Sequence, residues 1–193
     1  MGILVSSFGV LAPVTIIASP FALFAWRFLA RRRSRTRPMW VAASTAGIDV
    51  GAVLLAALVL ALTMIPVGAS RTSSLHLVPG SDILTEFTDD GSLWQIAGNL
   101  LLLAPLGALL PLRLARLHSV ARVAWAALAA SAAIELTQFV LHLGRVTSTD
   151  DVLLNTLGAA AGATLSCGWM RDREVLGIPA PRQSAPGKRP VGV

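Results

Sequence analysis

Residues 131–162 read Ser131-AAIELTQFVLHLGRVTSTDDVLLNTLGAAA-Gly162, and their reading decides the fold. Glu135 and Gln138 interrupt an apolar run of helical length. A short polar turn carries Arg145, Asp150 and Asp151. A second apolar run then opens with Asn155 and repeats small residues at Gly158 and Gly162. Spacings of three, four and seven put Glu135, Gln138 and His142 on one helical face, and Asp151, Asn155, Gly158 and Gly162 on another. Ionisable groups inside a span are expensive and mark functional candidates. That inference requires the rest of the chain to belong to a membrane.

Composition supplies that context. Hydrophobic residues make up 54 % of the 193 and charged residues only 13 %, with a mean hydropathy of +0.69. A soluble domain carries roughly 25 % charged residues, so this chain has too few to coat a soluble globule. The net charge of +6 does not point to nucleic acid. The basic residues stand in short clusters between apolar runs, as in cytoplasmic loops beside an anionic leaflet. Cys167 is the only cysteine, which excludes an intrachain disulfide or a cysteine metal cluster.

Five apolar runs follow one another, near 3–30, 40–65, 93–112, 122–144 and 151–171. Runs of about 20 helical residues span the roughly 30 Å hydrocarbon core. The sequence therefore predicts an all-α, polytopic bundle of about five transmembrane helices. Alternating the loops puts 14 Lys and Arg on one side and only Arg71 and Arg145 on the other, out of 16 in all. The basic side is then cytoplasmic, the N-terminus outside and the C-terminus inside. Residues 1–38 are expected to form an uncleaved N-terminal helix with a basic loop, and residues 39–170 a transmembrane domain. Residues 171–193, rich in Pro, Gly and basic side chains, read as a disordered cytoplasmic tail. The segment 66–92 reads as an acidic outer loop punctuated by Pro66, Gly68, Pro79, Gly80 and Gly91.

In this topology Asn99 joins Glu135, Gln138, Arg145, Asp150, Asp151 and Asn155 as a polar site near the outer surface. Glu135 would lie about 13 Å below the outer end. Arg145 suits a carboxylate or phosphate, and its nearest candidates are Asp150, Asp151 and Glu135. A structural clamp of mutually satisfied side chains is the other reading of the same residues. Pro105, Gly107, Gly158 and Gly162 are expected to serve helix packing, with Pro105 freeing a carbonyl near Leu101. Asp49, 12 residues from Arg37, would sit about 18 Å in, near mid-membrane, with no evident sequence partner. No HExxH, Walker or GxSxG pattern occurs, and neither a metal nor a cofactor is expected.

The run Asn99-LLLLAP-Leu106-Gly107, then IEL-Thr137-Gln138, then Gly144-Arg145-VTST-Asp150-Asp151-VLLNTLGAAAG resembles the VanZ-like family. The similarity covers roughly residues 75–168. Two positions depart from the family pattern. Ser148 stands where many members have an acid, and His76-Leu77-Val78-Pro79-Gly80 replaces an Asn-Leu-Ile-Pro-Phe loop. The resemblance implies a multi-pass protein of the bacterial cell membrane linked to glycopeptide (teicoplanin) resistance or to an envelope response. The expected partners are the lipid bilayer and a lipid-linked envelope precursor or a glycopeptide, with no nucleic acid. Two other readings stay open. One is an enzyme acting on a lipid-linked substrate, with Glu135 and Asp151 as acid and base. The other is a proton- or solute-coupled transporter using Asp49 and Glu135 as polar stations.

Overall fold

The computed structural model describes residues 2–65, 74–88, 93–144 and 146–175. These residues are mostly helical: α1 (Gly2–Ser34), α2 (Met39–Met64), α3 (Ser81–Thr88), α4 (Leu93–Leu109), α5 (Val120–Val140) and α6 (Thr149–Val175). The apolar runs form helices, in which each backbone N–H and C=O is satisfied within its own segment. Among the described residues, α2 and α5 are long and apolar enough to cross a membrane; α4 is apolar but has only 17 residues. Only 11 % of the apolar window of α2 is buried, so it is not the core helix of a soluble fold. Phe21, Val53, Trp125 and Leu165 are likewise exposed, and an apolar surface of that extent calls for an apolar environment.

The all-α expectation needs one correction. Ser74–His76 (β1) and Val146–Ser148 (β2) form a two-stranded parallel pair, with Leu75 opposite Thr147 and His76 opposite Ser148. The acidic segment expected as a plain loop thus contains a strand and the helix α3. The helix α6 continues through Val175, into the segment expected as tail. Asp89, Asp90, Arg145 and residues 176–193 lie outside the described residues.

The tightest packing is between α4 and α6. A Cβ at Gly158 would fall 1.8 Å from the Leu100 carbonyl oxygen, one at Gly162 2.0 Å from that of Ala104, and one at Gly107 2.1 Å from that of Ala159. The two helices touch backbone to backbone, which is what small residues at four-residue spacing permit. Pro105 lies inside α4, and its ring is turned outward, away from that seam. Val59, Leu103, Val123, Ala127, Ala159 and Ala163 fill the middle of the bundle.

Polar groups mark the two ends of the bundle. At one end, where α1 and α4 finish and α5 begins, Asp49 accepts hydrogen bonds from Arg33 Nη2 at 2.5 Å and from Arg113 Nε and Nη2 at 2.5 and 3.0 Å. Asp49 therefore has two partners that lie 16 and 64 residues away in sequence. It is level with the α4–α5 connector, not isolated at mid-depth, because α2 begins well beyond the end of α4. The opposite end carries the other polar cluster.

Candidate functional site

The second cluster forms where α2 and α5 finish and α4 and α6 begin. Along α5 the buried positions are Val123, Ala127, Ser131, Glu135 and Gln138, one stripe at helical spacing. Its inner half is apolar and its outer half polar. Gln138 Nε2 donates to the Thr63 carbonyl at 2.8 Å, fastening the end of α5 to the end of α2. Asn155 Nδ2 donates to Ser131 Oγ at 2.9 Å across the α5–α6 contact. Asn99 Nδ2 of α4 donates to Asp151 Oδ1 of α6. Thr147 Oγ1 of β2 reaches the Glu135 carbonyl at 3.5 Å. Glu135, Gln138 and Asn155 are all buried, at 7 %, 4 % and 3 % exposure. Asn99, Glu135, Gln138, Asp151 and Asn155 thus occupy one layer built by α4, α5 and α6, with α2 closing its side.

Glu135 is nearer the end of its helix than its sequence position suggests. Five residues separate it from Val140, about 8 Å of helix. The helix ends in a Schellman motif: His142 N–H donates to the Phe139 carbonyl at 3.1 Å, and Leu143 N–H to the Gln138 carbonyl at 3.2 Å. His142 takes the left-handed conformation, with φ of 50°, at the position that motif reserves for glycine. Its exposed side chain leaves the Glu135–Gln138 face and stacks near Phe139, with ring centroids 6.4 Å apart.

Asp150 stands apart from the layer. It is 1 % exposed, and its carboxylate accepts the backbone N–H of Gly80 at 2.5 Å, Asp82 at 2.9 Å and Ile83 at 3.1 Å. These are the orphan donors at the start of α3. A carboxylate there also meets the positive end of the helix dipole. Asp150 is the clip that holds the β1–α3 cap onto α6, and this engagement explains its burial. Ser148 completes the clip: its Oγ accepts the Asp150 N–H at 3.1 Å as the N-cap of α6.

Ser148 also lies beside the Asp82 carboxylate, to which His76 Nδ1 approaches at 2.7 Å. Burial alone pushes the Asp82 carboxyl up, but the polar groups of Ser148, His76 and Ser81 around it together hold it below the usual carboxylate range.

The structure places Asn99, Glu135, Gln138, Asp151 and Asn155, all singled out from sequence spacing, at one end of the bundle, and holds Asp150 apart in the cap. Sequence spacing misses Ser131, Thr63, Ser148, His76 and Asp82. Ser131 was detectable, since it lies four residues before Glu135 on the same face. Thr63 contributes a carbonyl, which no side-chain pattern reports. The Asp82–His76 pair depends on strand pairing too short to read from three residues. Among the described residues no group of three or more His, Cys, Asp or Glu is placed to hold a metal ion.

The family model described as VanZ/LLP1 matches residues 52–170, which is 119 of the 193. The chain belongs to the VanZ/LLP1 family. No curated protein and no solved structure matches it. This VanZ/LLP1 member carries the whole layer, the cap strand β2 and the Asp150 clip within the matched range. Its α1 and most of the Arg33–Asp49–Arg113 cluster's basic neighbourhood lie outside that range.

Proposed function

We propose that the layer beneath the β1–α3 cap is a binding site for the polar head of a lipid-linked envelope component. In this reading α1, α2, α4, α5 and α6 span the bacterial cell membrane, with the cap on the outer face and both basic connectors inside. The observation that carries it is the Asn155 side chain. Its amide oxygen is buried and accepts no hydrogen bond from any described residue, while its nitrogen is committed to Ser131. An unsatisfied buried acceptor costs about 1–3 kcal/mol, so keeping one needs a reason. A sugar hydroxyl or amide N–H of a bound head group would satisfy it. Arg145 is assigned the phosphate or carboxylate of the same head group, which its fork fits in bidentate fashion.

This site would connect the protein to glycopeptide response, because a protein that holds a lipid-linked precursor on the outer face competes with, or shields it from, a glycopeptide. Removing the amide oxygen with Asn155→Leu, or the fork with Arg145→Ala, should abolish any change in teicoplanin susceptibility that the wild-type protein confers. Expression must be matched by quantitative blotting. Unchanged susceptibility in both variants sinks the binding reading and leaves the layer as a structural clamp. Asp49, the inner station of the transporter reading, is bonded to Arg33 and Arg113.

A further inference from the structure

The cytoplasmic end of α1 divides its arginines between two faces. Arg33 turns inward to Asp49. Arg27, Arg31, Arg32 and Arg35 turn outward and are exposed, and among the described residues none of them forms an ion pair. They share that face with Phe24 and Phe28 at helical spacings of 3, 4, 7, 8 and 11 from Phe24. Together the six residues line an open groove of about 510 Å³. The two phenyl rings stack along it, centroids 6.3 Å apart and 15° from parallel. Phe24 and Phe28 lie toward the span with Arg27 between them along the helix, and Arg31, Arg32 and Arg35 lie beyond.

This gradation matches one kind of molecule. Its apolar end must accept the Phe24–Phe28 stack, and its polar end must carry negative charge for four forks that no described acid neutralises. Guanidinium groups bind phosphate in bidentate geometry, and anionic lipids are the resident anions of the inner leaflet. We propose that the outward face of α1 at its cytoplasmic end is a docking site for an anionic phospholipid. Its phosphodiester lies among Arg27, Arg31, Arg32 and Arg35, and its first acyl carbons lie on Phe24 and Phe28. The leaflet assignment rests on the orientation argued under Proposed function; the groove and its charge do not. The site lies entirely before the family-matched residues, so it belongs to this chain's own N-terminal helix.

The test is native mass spectrometry of the purified full chain in neutral detergent. It is titrated with phosphatidylglycerol or with phosphatidylcholine of the same acyl chains. Preferential retention of phosphatidylglycerol is expected. Replacing three forks in R31Q/R32Q/R35Q should weaken that retention on the order of a hundredfold, at about fivefold per positive charge. The charge-retaining R31K/R32K/R35K should stay within about fivefold of wild type, which separates lost charge from lost folding. Equal retention of the two lipids overturns the site, as does an unchanged R31Q/R32Q/R35Q variant. Displacement of phosphatidylglycerol by equimolar inorganic phosphate overturns the lipid reading in favour of a free-anion site. Sidedness is read separately from Thr36→Cys in a Cys167→Ser background with a membrane-impermeant thiol reagent. Labelling in intact cells overturns the orientation and the leaflet, whereas protection until permeabilisation supports both.

Discussion

Asp150 has the most consequential side chain in the cap, because one carboxylate serves three backbone donors at the start of α3. Hydrogen bonds to a charged acceptor are worth about 1.5–3 kcal/mol each, and they are not additive. Asp150→Ala should therefore cost about 3 kcal/mol or more and release β1 and α3 from α6. Hydrogen exchange would show lost protection at the amides of Gly80, Asp82 and Ile83, with α2 and α5 unaffected. Asp82 makes the same cap sensitive to acid. Its pKa is depressed in the fold, so its contribution is complete above the ordinary carboxylate value of about 3.9. That contribution is lost as pH falls through the lower, folded value. In a pH titration of cap protection the Asp82 contribution should thus be lost only below about pH 4. Asp82→Asn should abolish that loss; an unaltered profile would place the sensitive group elsewhere. Ser148 was legible only as a departure from the family pattern. Its dual role, N-cap of α6 and partner of Asp82, depends on contacts between residues 66 positions apart, which a linear reading cannot supply.

The helices themselves were legible, because an apolar run of this length satisfies its own backbone most simply as a helix. Their ends were less so. Periodicity alone carries α5 through His142 to Gly144, but the chain stops at Val140 with the Schellman motif. A histidine rarely takes the left-handed conformation, so no composition signal marked the stop. Relieving that conformation with His142→Gly should raise stability by about 1 kcal/mol, less the loss of the contact with Phe139. Thermal unfolding in detergent would show it as a higher midpoint. The α4–α6 seam yields the sharpest prediction at this scale. Gly158→Ala puts a methyl within 1.8 Å of a backbone oxygen, which no side-chain rotation relieves. The helices must separate, at a cost of about 3 kcal/mol or more. Gly98→Ala, on the same pair of helices but with nothing within 4 Å of its Cβ, should instead stabilise by about 0.5–1 kcal/mol. Similar midpoints for the two variants would mean that the seam is looser than backbone contact.

On the scale of the whole molecule, two charged or polar layers bracket an apolar middle. Asn99 and the end of α4 at Leu109 are ten residues apart, about 15 Å, and the Asp49 cluster lies just beyond. Hydrophobic length made the apolar middle readable, whereas the Arg33–Asp49–Arg113 contacts required the folded bundle. The layers give the proposed orientation a direct test. Val78 is 69 % exposed on the cap, and Thr36 lies in the turn between α1 and α2. If the cap faces outward and 14 of the 16 basic residues face inward, Val78→Cys should react with an impermeant thiol reagent in intact cells. Thr36→Cys should react only after permeabilisation, both in a Cys167→Ser background. Reversal of the two would turn the polar layer toward the cytoplasm, out of reach of any glycopeptide. Reaction of both from outside would mean that α2 does not cross, even though it is long and apolar enough to do so. Asp49 would then face the outer surface with its two arginines, and the positive-inside asymmetry would have no physical cause. The paired labelling pattern therefore tests the bundle's topology and the proposed site's access to its ligand in one experiment.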